Sequence, residues 1–269
     1  AQAQKLPPLF GNGMVLQRDK PIPVWGTADP GTEIQVKFRA QSVSARADAD
    51  GRWRVDLKPE PAGGPDEMTI EGPAGAIKIN DVQVGEVWLA AGQSNMVFNL
   101  KNMGPKLTPD PLPEDPGLRF FDVSQKVEDA PAESVGGRWA GASPNTQAVP
   151  YFFGRKLREA LEVPVGVIVS AVGATGIATW VSEKGADDVP EAKAKVLADR
   201  AEVVAAYPGL LKAHEEALAA WEKAKAEAEA KGEPFKQWRP VRPIPPDTPR
   251  HRPFGLYNGM IHPVAPYGL

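Results

Sequence analysis

Val87-Trp88-Leu89-Ala90-Ala91 is a run of five apolar residues that gives way at once to Gly92-Gln93-Ser94-Asn95. A run of that length and density fits a strand buried on both faces, as in a parallel α/β sheet, and a glycine at 92 permits the sharp turn that must follow. Ser94 therefore falls at the carboxyl end of a buried strand. Ligands of open parallel sheets collect in the crevice outside those ends, where a hydroxyl can serve as a nucleophile. A polar turn whose serine caps the next helix fits the same residues. The Gly-x-Ser-x-Gly elbow is not the pattern here, because Met96 stands where its second glycine would be.

Around this strand the chain divides in two. Residues 1–84 read as β: Glu33 to Phe38 alternates polar and apolar, Ser42 to Ala47 alternates again, and Asp50-Gly51 turns the chain into Arg52 to Leu57. Met68 to Ile70 and Ala76 to Ile79 add two short strands, so a small all-β sandwich or jelly-roll-like domain is expected. Trp25 or Trp53 could bind carbohydrate there, but Trp53 lies on the apolar side of its alternation, which favours core packing. Residues 85–269 read as α/β. Leu118 to Val123 is a second strand, and Pro150 opens a helix with an apolar stripe of Phe153, Leu157, Ala160 and Leu161. Pro164 to Ser170 is a third, fully buried strand. Strand, helix and strand in that order make a right-handed βαβ unit, which brings Gly173 to the same sheet edge as Ser94. An excursion at about 184–252 is helical and Pro-rich. Pro208 is expected to split it into two helices, the second with Leu211, His214, Leu218 and Trp221 on one face and charged residues on the other.

A net charge of −3 argues against electrostatic capture of nucleic acid or an acidic membrane. Without cysteine there is no disulfide scaffold or thiolate zinc site, and three histidines lacking metal-ligand spacing leave neither a metal nor another cofactor expected. No run has the length of a membrane span. The opening Ala1-Gln2-Ala3-Gln4 resembles what remains beside a signal-peptidase site, so a secreted or periplasmic location is expected.

Glu86 to Ala91 followed by Gly92-Gln93-Ser94-Asn95-Met96 resembles the nucleophile block of the sialate O-acetylesterase and acetylxylan esterase group of the SGNH hydrolases. Leu9-Phe10 to Met14-Val15-Leu16-Gln17-Arg18, Ser170 to Thr175 and Gly255 to Ile261 resemble further blocks of that group. The resemblance implies a three-layer SGNH-hydrolase-like parallel sheet, incomplete in this chain, and removal of O-acetyl groups from sugars of the sialic acid or xylan type. It implies Ser94 as nucleophile and Gly173 as an oxyanion-hole donor, with Gln93, Asn95, Thr175 and Trp180 as candidates for contact with the acetylated carbohydrate. The group's Gly-Gly-Thr is Gly173-Ala174-Thr175 here, which keeps the backbone N–H groups and adds one methyl. The group's later Gln-Gly-Glu-x-Asn block and Asp-x-His pair would lie beyond Leu269.

A serine esterase needs a base for the hydroxyl proton. Asp247 and His251 are four apart in a proline-stiffened loop, and His262-Pro263 lacks an aspartate at the matching position. The base is therefore expected from a second polypeptide carrying the remainder of the domain. Two alternatives stay open: a non-catalytic carbohydrate-binding or scaffolding protein of the same fold, and a self-sufficient hydrolase using His251 or His262.

Overall fold

A computed structural model describes residues 4–104, 106–108 and 111–268. Ala1-Gln2-Ala3 and Leu269, on which the export and chain-end expectations rest, lie outside the described residues. The chain divides into two compact units, one of residues 1–175 and 257–269 and one of residues 176–256.

Among the described residues the first unit holds ten strands: β1 (Val15–Gln17), β2 (Ile22–Thr27), β3 (Glu33–Phe38), β4 (Gln41–Arg46), β5 (Arg52–Leu57), β6 (Gly63–Gly72), β7 (Gly75–Gly92), β8 (Leu118–Asp122), β9 (Trp139–Ala140) and β10 (Val165–Ala171). β2 and β5 pair by themselves, and the other eight form one mixed sheet in the order β4-β3-β6-β7-β10-β8-β9 with β1 also on β7. β7 is the backbone of the unit. Its first part pairs antiparallel with β6, and its last seven residues pair parallel with β10, Glu86 opposite Val165 and Gly92 opposite Ala171. β8 continues the parallel set on the far side of β10. Residue 84, expected as the end of the β region, thus falls within a continuous strand. Glycine is required at 85, where a Cβ would lie 1.9 Å from the carbonyl oxygen of Pro164.

Helix α1 (Ser94–Val97) follows β7 directly, and α2 (Ala148–Leu161) connects β8 to β10. α2 rests on the sheet through Ala148, Tyr151 and Gly154, against a core that includes Ala90, Leu118, Phe120, Val165, Val167 and Val169. The expected stripe of Phe153, Leu157, Ala160 and Leu161 is buried only in part, through Leu157, which packs against this core. Phe153 and Leu161 are each 41% exposed, because the helix is turned to let Gly154 sit beside Leu118 and Val167. After the second unit the chain returns through a π-helical turn at Tyr257–Ile261 and a short 3-10 turn at Ala265–Tyr267. Tyr267 is buried: its hydroxyl donates to the Val15 carbonyl at 3.1 Å, and its ring packs near Phe10, Trp25 and Trp139.

The second unit contains α3 (Glu183–Ala186) and α4 (Pro190–Lys231). α4 is one helix, where two were expected, and Pro208 lies inside it. Proline removes one N–H and crowds the preceding turn, but no residue of α4 is buried, so the orphaned carbonyl can bond to water. The stripe of Leu211, His214 and Leu218 lines a cavity closed by the returning residues Arg239, Pro240 and Arg242. Trp221 adds a bond from Nε1 to the Gln237 carbonyl and an edge contact with Phe235.

Candidate active site

Ser94 stands at the carboxyl end of β7 as the first residue of α1. Gly92 turns the chain at φ 149°, and a Cβ there would come within 3.0 Å of Met96 Cγ. Gln93 bends the backbone further, and its carbonyl accepts the Met96 N–H at 2.8 Å. These two residues lift Ser94 out of the sheet, and its side chain is exposed. Ser94 Oγ donates to Gln93 Oε1 at 2.6 Å and accepts from the Ala174 N–H at 3.4 Å. An amide oxygen orients a hydroxyl but has no useful basicity, so this pair positions Ser94 without activating it.

The parallel pairing of β7 with β10 ends both strands side by side, and the Val172 N–H extends it by donating to the Gly92 carbonyl at 3.1 Å. Gly173 thereby reaches Ser94: a Cβ on it would lie 3.8 Å from Ser94 Oγ. The backbone N–H aimed at that oxygen belongs to Ala174, one residue later than the donor singled out in the sequence. Ala174 holds φ 60°, a left-handed conformation that glycine adopts freely and alanine at a cost. The resemblance, which gives glycine at this position, was the signal that could have marked it. Thr175 Oγ1 donates to the Val172 carbonyl at 2.8 Å and so braces the loop. Asn95 is exposed beside Ser94. Trp180, half-buried, closes the 3-10 turn Ile177–Thr179 and belongs to the second unit.

His262 is exposed in the first unit, with its ring 6.3 Å from that of Tyr257. His251 and His214 belong to the second unit, His251 lining a small cavity with Asp199 and Arg200. Of the Gly255 to Ile261 stretch, residues 257–261 have a bracing role in the first unit. The Asn258 carbonyl accepts the Ala132 N–H, the Met260 carbonyl accepts the Ser170 hydroxyl, and a Cβ on Gly259 would lie 2.2 Å from the Lys126 carbonyl. Asp122, not singled out in the sequence, ends β8 on the same side of the sheet and accepts from Gln147 Nε2 at 3.2 Å.

No family model matches the chain. The sialate O-acetylesterases of Homo sapiens and Mus musculus are 32% and 28% identical to it over 64% of its length. A carbohydrate acetylesterase from Xanthomonas citri of known crystal structure is 30% identical and superimposes with a TM-score of 0.70 over 98% of the chain. The chain spans 38% and 36% of the two sialate O-acetylesterases and 49% of the bacterial enzyme, about half or less of each. Over the length it shares with them, this chain is similar to sialate O-acetylesterases and to a carbohydrate acetylesterase.

Proposed function

We propose that the chain carries the nucleophile part of a secreted or periplasmic carbohydrate esterase that removes O-acetyl groups from sugars of the sialic acid or xylan type. Ser94 Oγ attacks the acetyl carbonyl, and its proton passes to a base. The new carbon–oxygen bond forms as the carbonyl oxygen takes up negative charge facing the N–H groups of Ser94 and the Gly173-Ala174 loop. The sugar oxygen leaves with the proton returned by the base, and water then releases acetate by the same route. The observation that carries this reading is the convergence of Ser94 Oγ, the Ala174 N–H and the side-chain-free Gly173 at the ends of two parallel strands. In this reading residues 1–84 are a supporting β domain, 85–269 the esterase domain, and 184–252 an insertion within it.

The base and its orienting acid come, in this proposal, from residues outside these 269, on a second polypeptide or on further sequence of the same one. The edge of β7 supports this. Glu86 donates to the Pro164 carbonyl and Gly92 accepts from Val172, so the even-numbered residues face β10 and Val87, Leu89 and Ala91 face the other way. The Val87 N–H is taken by Gln17 Oε1 at 2.8 Å, but among the described residues no strand lies beside Leu89 and Ala91. Trp88, 42% exposed, and Phe153 meet edge to face there with ring centroids 5.3 Å apart. An open strand edge beside exposed aromatic rings is a surface that proteins ordinarily cover. A further strand docked on it would end next to Ser94, across an apolar interface of more than about 2,000 Å².

Hydrogen exchange tests the complementation. In this chain alone the Leu89 and Ala91 amides exchange fast while Trp88 and Ala90 are protected. In an assembly that hydrolyses an aryl acetate all four are protected, and fast exchange at Leu89 and Ala91 in such an assembly contradicts the docking. A non-catalytic carbohydrate-binding protein is the second reading, favoured by the Ser94 hydroxyl being spent on an amide oxygen. It requires that serine-directed phosphonates never label Ser94.

A further inference from the structure

A cavity of about 620 Å³ lies in the N-terminal β region and shares no lining residue with the surroundings of Ser94. Trp25 and Arg54 are directly opposed across β2 and β5, and Gly26 opposes Trp53. Opposed residues share a face, and successive residues alternate. Trp25, Arg54 and Arg52 therefore lie on one face, while Trp53 turns into the core at 3% exposure. Trp25 is held edge-on against Phe10, with ring centroids 4.7 Å apart, and leaves part of its indole to line the cavity. The rim is charged and already ordered. Arg54 is held by Asp56 through three bonds of 3.0, 3.3 and 2.7 Å, and Arg52 bonds to Asp50 and lies 3.6 Å from Asp48 and 3.7 Å from Glu133. Each guanidinium has five N–H groups and each carboxylate about four lone pairs, so these pairs leave donors and acceptors over. Lys5, Arg52 and Arg54 line the cavity with Asp48 and Glu133, and Asp50 and Asp56 pair with the two arginines, so the charges around the rim nearly balance and give an anion no strong preference.

We propose that this cavity is a second carbohydrate site, for a neutral pyranose chain, separate from the site at Ser94. A pyranose ring has an apolar C–H face that stacks on indole and hydroxyls that each donate and accept, which matches a tryptophan wall bordered by fixed groups of both kinds. A purely apolar ligand would leave the charged rim unsatisfied, and an anionic one would meet Asp48 and Glu133. The site would hold a polysaccharide beside the esterase chemistry, and it does not depend on that chemistry.

Titration calorimetry with xylohexaose tests it on the 269-residue protein. The expected result is saturable binding, weakened at least about tenfold by Trp25→Ala and by Arg54→Ala and unchanged by Ser94→Ala. Arg54 is exposed, so its variant stays informative if loss of Trp25 disturbs the packing on Phe10. No saturable binding up to about 10 mM overturns the proposal, as does binding that survives both rim and wall variants. Loss of binding on Ser94→Ala assigns the sugar to the other site instead. Preference for 3′-sialyllactose over xylohexaose overturns the neutral-ligand assignment.

Discussion

Substitution at Gly173 separates chemistry from folding. A Cβ there meets Val97 Cγ2 at 3.7 Å, Ser94 Oγ at 3.8 Å and Ser94 Cα at 4.0 Å, all ordinary contacts. Gly173 is not among the residues of positive φ, so alanine fits its backbone without strain. Gly173→Ala should leave the melting temperature unchanged or raise it, since such a change stabilises by roughly 0.4–1 kcal/mol through the unfolded chain. The reaction is another matter. A substrate carbonyl must come to about 3–3.5 Å from the attacking oxygen, in the space that the new methyl group borders. Valine adds two carbons about 1.5 Å beyond that methyl and fills the approach. Losing one oxyanion donor costs about 10² to 10³ in kcat, or about 2.7–4 kcal/mol, and Gly173→Val should fall in that range. Gly173→Ala should lose about tenfold, or ~1.4 kcal/mol. Thermal melting of each variant, with aryl acetate hydrolysis in the active assembly, reads both effects. A Gly173→Val protein that folds and is as active as the parent refutes the placement of the carbonyl beside this loop.

Ala174→Gly removes a left-handed alanine at φ 60° and should stabilise the fold by up to about 1 kcal/mol; a lower melting temperature contradicts the strain. Gly85→Ala drives a Cβ into the Pro164 carbonyl and should cost about 3 kcal/mol or more, measurable by urea unfolding. Burial raises the Tyr267 pKa above its ordinary 10.0, so its contribution to stability is complete below pH 10 and declines as pH rises beyond it. Tyr267→Phe should flatten that alkaline decline and cost about 1 kcal/mol at neutral pH through the lost bond to Val15; an unchanged alkaline profile refutes the assignment. Hydrolysis by the active assembly should survive a chelator, and inhibition reversed by added zinc contradicts a metal-free serine mechanism.

The elements whose apolar pattern has one reading were legible. Val165 to Ala171 is nearly all buried, and β3 and β5 bury every second residue as their alternation requires. The approach of Gly173 to Ser94 followed from two parallel strands ending together. Other features depend on contacts that periodicity does not carry. α2 has two candidate faces, and the buried one is marked by Ala148, Tyr151 and Gly154, which weigh little in a hydrophobic count. α4 runs through Pro208 because solvent can satisfy the freed carbonyl, a matter of exposure rather than of local propensity. Tyr267 has no apolar periodicity around it to mark it, yet it is buried near Phe10, Trp25 and Trp139, which are distant in sequence. The left-handed Ala174 is a loop conformation imposed by its neighbours.

The most direct test of Ser94 as a nucleophile is covalent labelling of the active assembly with a serine-directed fluorophosphonate, followed by peptide mapping. The account predicts one adduct on the peptide containing Ser94, formed as fast as aryl acetate hydrolysis is lost, and neither adduct nor hydrolysis in a folded Ser94→Ala protein. An adduct on another residue, or a Ser94→Ala protein retaining more than a few per cent of the hydrolysis, contradicts it.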